Sequence, residues 1–128
     1  MNIIKLLITD ITTRNEIFNL PYYITKTLKG YEEAGDIELE KFVVSSVEGY
    51  INSNGKELQR GSIRELTLTS TMPIIIRVPK LLILRLWLLS LKLNISMSAI
   101  INEALGHSIP MLLDREEAQE DYMHELAQ

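Results

Sequence analysis

The stretch Lys80–Leu93 (KLLILRLWLLSLKL) constrains this chain more than any other. It follows Pro79, has no internal Gly or Pro, and is long enough for a helix. At about 100° per residue, Leu82, Leu86, Leu89 and Leu93 gather on one side. Leu84, Trp87, Leu88 and Leu91 gather on another, roughly opposite. Arg85 and Lys92 share one seam between the two faces and Ser90 lies in the other. A helix apolar on both sides has to be buried or lie in lipid. Each large side chain contributes about 1.5–3 kcal/mol on burial. Leaving the second face in water forfeits roughly half of that gain and creates a patch prone to association. A cover is therefore expected, and the segment Asp36–Ile51 is the expected one.

The flanks of this helix are the next most informative. In Met72–Val78, Ile74, Ile76 and Val78 fall on one face of a strand, with Ile75 and Arg77 on the other. Pro79 lacks a backbone donor and suits the first turn of a helix. Asn94 suits a left-handed C-cap, Ser96 or Ser98 an N-cap for a second helix through Leu105, and Gly106 a stop. Pro110 marks a turn, and Asp114 caps an acidic helix, Arg115–Ala127, with a narrow stripe of Ala118, Tyr122, Met123 and Leu126.

Upstream the pattern is thinner. Residues 2–8 read as a strand or the start of a helix. Thr12 or Thr13 caps a helical turn through Glu16, Phe18 and Leu20 that Pro21 ends. Tyr22–Tyr31 reads as helix with Gly30 as its stop. Asp36–Ile51 reads as helix on a stripe of Leu39, Phe42, Val43, Val47, Tyr50 and Ile51, capped by Asp36 and closed by Asn52–Gly55. Arg64–Thr69 reads as a strand or an extended linker. No internal repeat stands out.

A length of 128 residues implies one domain, or a small domain with an extension. There is no cysteine, which excludes disulfides, thiolate metal sites and cysteine nucleophiles. The net charge of −4 is unevenly spread. Residues 1–71 carry −2, residues 72–107 carry +3 and residues 108–128 carry −5, so any electrostatic footprint is local. His107 and His124 are far apart with no neighbouring ligand pattern, so neither a metal nor another cofactor is expected. No Ser-His-Asp set, glycine-rich phosphate loop or HExxH is present, and the chain is not expected to be an enzyme. The N-terminus lacks the long apolar region of a signal peptide, and no apolar run has the length of a membrane span; a cytoplasmic location is expected.

Residues 72–106 resemble the ribbon-helix-helix DNA-binding proteins of bacteria and phages, the Arc/CopG-like superfamily. IIIRVP is similar to that family's strand with its terminal proline, and Leu82, Leu86, Leu89 and Leu93 match its first-helix core. Asn94-Ile95-Ser96-Met97-Ser98 is similar to its Gly-Ile-Ser-x-Ser turn, with Asn for Gly. Ile100, Ile101, Ala104 and Leu105 match its second-helix core. The resemblance implies a mainly α fold with a short β-ribbon: a ribbon-helix-helix homodimer module at 71–107, with a mostly helical packing or oligomerisation region at 1–70 and an acidic C-terminal helix at 108–128. In such a dimer one strand from each chain pairs antiparallel, and the ribbon enters the major groove of double-stranded DNA. The dimer core would be Ile74, Ile76, Val78, Leu82, Leu86, Leu89, Leu93, Ile100, Ile101 and Leu105.

Carried over by position, Arg77, Ile75 and Pro73 contact bases, and Ser96, Met97, Ser98 and Lys80 contact phosphates. Leu84, Trp87, Leu88 and Leu91 form a second interface that the family lacks. The implied function is a sequence-specific transcriptional regulator of repressor type, phage- or plasmid-like in style. With Arg77 the one polar residue facing the groove, a rival reading is a protein–protein interaction module on the same fold, an antagonist or assembly factor without base readout. A membrane-surface helix at 80–93 is a third reading, ill matched to two apolar faces and three cations.

Overall fold

The structure, a computed structural model, describes residues 12–67 and 70–111. The expected strand or helix at 2–8 and the acidic helix at 115–127 lie outside the described residues. Six elements follow one another: β1 (Thr13–Pro21), α1 (Tyr22–Glu33), α2 (Leu39–Asn54), β2 (Thr71–Pro79), α3 (Lys80–Leu93) and α4 (Met97–Met111). The fold is mainly helical with one two-stranded antiparallel sheet.

The order strand–helix–helix occurs twice, and the two copies superpose in sequence at a constant offset of 58 residues. Pro21 corresponds to Pro79, each ending a strand and immediately preceding a helix. Their ring-fixed φ values, −49° and −57°, make the same corner twice. Phe18 and Leu20 correspond to Ile76 and Val78, Ile24 and Leu28 to Leu82 and Leu86, and Val43 and Val47 to Ile101 and Leu105. All of these side chains are buried. The repeat is thus written in burial, with few identical residues, which is why it escapes inspection of the sequence.

β1 and β2 pair with each other in the register Thr13↔Pro79 through Pro21↔Thr71. Ile17 stands opposite Ile75, its own counterpart in the repeat, so a pseudo-two-fold axis passes between them. The hydrogen bonds obey it. The Asn19 N–H donates to Ser98 Oγ at 3.3 Å, and the Arg77 N–H, its counterpart, donates to Glu40 Oε1 at 3.0 Å. Ser98 and Glu40 are themselves equivalent first-turn positions of α4 and α2.

Several expectations change. The helical turn at Thr13–Leu20 is a strand, because Phe18 and Leu20, two apart, must both point inward while Ile17 points out. That alternation belongs to period two. The strand that pairs with β2 comes from the same chain, where the resemblance implied a second protomer. α1 runs past Gly30 to Glu33, and the positive φ falls on Gly35 (81°), as it does on Asn94 (55°) after α3. α2 starts at Leu39 with Glu38 preceding it, so Asp36 is not its cap. α4 continues through Gly106 and Pro110 to Met111. Residues 64–67 have no regular structure, which fits the extended-linker alternative for Arg64–Thr69; residues 68 and 69 lie outside the described residues. Lys80–Leu93, Asn94 and the inward set Ile74, Ile76 and Val78 stand as expected.

One core serves both copies. Leu20, Leu28, Ile74, Ile76, Leu86, Ile100, Ile101 and Leu105 are its largest fully buried members. All ten residues expected in the core are buried here, against Phe18, Leu20, Ile24 and Val43 of the same chain. Thr25, also fully buried, donates its hydroxyl to the Met72 carbonyl at 3.1 Å and so ties α1 to β2. Because the halves are covalently joined, the thermal midpoint is expected to be independent of protein concentration in the dilute range. Leu28→Ala and Leu86→Ala, at equivalent sites, are each expected to cost about 2–5 kcal/mol in denaturant unfolding. A midpoint rising steeply with concentration would show that the pairing is intermolecular.

Candidate nucleic-acid interface

The ribbon has an inner face on the core and an outer face on solvent. On the outer face β2 presents Pro73, Ile75 and Arg77, all exposed, as the strand alternation requires. β1 presents Asn15, Ile17 and Asn19, also exposed. The register sets Asn15 beside Arg77, Ile17 beside Ile75, and Asn19 beside Pro73. Ile17 and Ile75, 63% and 65% exposed, make an apolar centre flanked by amides and a guanidinium. Sequence reasoning missed Asn15, Ile17 and Asn19. The signal was available in the alternation of Ile17, Phe18, Asn19 and Leu20 before a proline, the same signature that marked Ile75–Pro79.

These side chains carry recognisable chemistry. An arginine can donate two hydrogen bonds to the O6 and N7 of guanine, and an asparagine can pair with the N6 and N7 of adenine. An isoleucine can meet a thymine methyl. The two strands offer different sets, so the face is asymmetric although the backbone beneath it is pseudo-symmetric.

The start of α4 behaves differently from the expectation of a phosphate contact. Ser96 caps the helix, its Oγ accepting the Ala99 N–H at 3.1 Å. Its own N–H and hydroxyl donate to the Glu65 carboxylate at 2.7 and 2.6 Å. A helix N-terminus attracts anions, and here the anion is the chain's own. Ser98 is engaged by the Asn19 N–H. Met97 is half-buried against the core. At the equivalent start of α2, Glu40 accepts the Arg77 N–H and Glu38 pairs with Lys41 at 2.8 Å. Both helix starts beside the ribbon therefore present carboxylates. Of the cations nearby, Arg14 lies 3.1 Å from Glu16, and Lys80 is exposed where β2 meets α3.

The second apolar face of α3 is not covered by α2. Leu84, Trp87, Leu88 and Leu91 are 48–57% exposed, and Leu81, outside the expected set, is 77% exposed. α2 instead buries Val43, Val47 and Ile51 in the core below the ribbon. Among the described residues no three His, Asp or Glu side chains are grouped to hold a metal ion. No single described helix is long and apolar enough to cross a membrane; α3 and α4 meet at 104°.

No family model, no curated protein and no solved structure matches this chain.

The Ser96 hydroxyl holds the Glu65 carboxyl below the usual carboxylate range; desolvation opposes this, and the Ser96 and Leu66 N–H groups reinforce it. A depressed carboxyl stabilises the fold above its unfolded value, near 4.5, and that contribution is lost as pH falls through the folded value. The thermal midpoint of the parent chain is accordingly expected to drop more than that of Glu65→Gln on acidification below 4.5. Parallel pH profiles would place the carboxylate elsewhere in solution.

Proposed function

We propose that a single copy of this chain binds double-stranded DNA by laying its β1–β2 ribbon in the major groove. The observation that carries this reading is the outer ribbon face, where Asn15, Asn19 and Arg77 stand exposed around an Ile17–Ile75 centre. The resemblance of residues 72–106 to ribbon-helix-helix proteins supports it, now with β1–α1–α2 as the second half that a separate protomer would otherwise supply. The readout then rests on three polar side chains, where β2 alone offered one. Because Asn19 and Arg77 occupy equivalent positions with different chemistry, the preferred site is non-palindromic. Regulation of transcription follows as the role, with no catalytic step.

A second reading has an observation of its own. The carboxylates of Glu65, Glu40 and Glu38 sit where a groove-bound ribbon would bring phosphates, which favours a protein partner on the same face. In that reading the chain is an antagonist or assembly factor.

Selection from a random duplex pool followed by mobility shift decides between them. The DNA reading expects an enriched asymmetric sequence, with binding that weakens steeply as salt rises. Arg77→Ala, Asn15→Ala and Asn19→Ala are each expected to cost about 1–3 kcal/mol and to relax preference at one base pair, with circular dichroism unchanged. Glu65→Ala, by freeing the α4 terminus for a phosphate, is expected to strengthen binding. No enrichment at low salt would overturn the DNA reading.

A further inference from the structure

The exposed face of α3 is flanked by a groove of about 490 Å³ that α3 forms with the last turn of α2. Leu88 and Leu89 lie along it with Ile51 of α2, and Lys56, Arg85 and Lys92 rim it. No carboxylate is among its described lining residues. Arg85 is held in place by a 2.7 Å hydrogen bond from its guanidinium to Asn52 Oδ1. The groove is therefore apolar below and cationic above, and it selects an occupant that is apolar on one side and acidic on the other.

The chain contains such a segment. Residues 112–128 include Asp114, Glu116, Glu117, Glu120, Asp121 and Glu125 against Arg115 alone, together with Leu112, Leu113, Tyr122, Met123 and Leu126. α4 is described as far as Met111, which lines a recess with Ser53 and Asn54 of α2. Asn52 of α2, with Gly55 and Lys56 just past the end of that helix, lines the groove itself. Seventeen residues follow Met111, and at about 3.3 Å per extended residue they span up to about 55 Å, enough chain to pass around the end of α2.

We propose that the acidic segment 112–128 of the same chain docks in this groove. Its apolar side chains cover Leu88 and Leu91, and its carboxylates face Lys56, Arg85 and Lys92. Charge complementarity favours this occupant over a second α3, which would bring Arg85 and Lys92 against their own copies. The inference is independent of what the ribbon binds.

The absence of native cysteine makes a direct test available. A nitroxide attached at Gln119→Cys in the full-length chain should broaden the methyl signals of Leu88 and Leu91 in dilute solution. The broadening should weaken at high salt. It should also be lost in the Gln119→Cys chain that carries Arg85→Glu and Lys92→Glu, whose unchanged ribbon and core resonances would show that the fold persists. A mixture of isotope-labelled, unmodified chain with nitroxide-bearing, unlabelled chain should show no broadening. Broadening confined to that mixture would assign the groove to a second copy's segment, and absence of broadening in both samples would leave it to another partner. Either result overturns the proposal.

Discussion

Everything else in this molecule depends on the pairing of β1 with β2. A two-stranded sheet is marginal in water by itself, so the ribbon persists only because its inner face is roofed by four helices. The same pairing brings the two strand–helix–helix units together. Phe18 and Leu20 descend from one strand, and Ile74, Ile76 and Val78 from the other, into a single core. Loss of register by one residue would turn one strand over relative to the other; for β2 it would send Ile74, Ile76 and Val78 to solvent and bring Ile75 and Arg77 inside. The buried guanidinium would then be unpaired, so the register is enforced by both polarity and packing.

The ribbon's outer face inherits its composition from that constraint. Residues excluded from the core alternate with those required by it, so core packing does not set the chemistry of Asn15, Ile17, Asn19, Pro73, Ile75 and Arg77. Their flanks are less free. Glu40 and Ser98 hold the edges of the strands to the helices beneath, and Glu65 ties the segment before β2 to the start of α4. At the helix starts, a carboxylate that stabilises the fold would also oppose a phosphate in the proposed DNA complex.

How much of this was legible in the sequence depends on the half considered. β2, α3 and the turn at Asn94 were readable because long apolar side chains recur there at clear periods, with Pro79 to fix the corner. α2 was readable from Val43, Val47 and Ile51, but its start was not, because Gly35-Asp36 looks like a break plus cap and the chain takes three further residues to enter the helix. β1 was misread. With only Phe18 and Leu20 turned inward, its alternation is too short to outweigh a threonine that could cap a helix, and its partner strand lies 58 residues away. Missing β1 hid the repeat, and with it half of the candidate site. The exposure of Leu84, Trp87, Leu88 and Leu91 was equally hidden: hydrophobic patterning shows that a face wants cover, not which neighbour provides it.

Joining two ribbon-forming units in one polypeptide has a consequence for dosage. Two separate protomers must first meet, so the population of their shared ribbon falls with the square of concentration when they are scarce. Here the second strand is always present at the effective concentration that a covalent connection imposes. Whatever the ribbon engages, its occupancy should rise in direct proportion to the number of chains, down to a few copies in a cell.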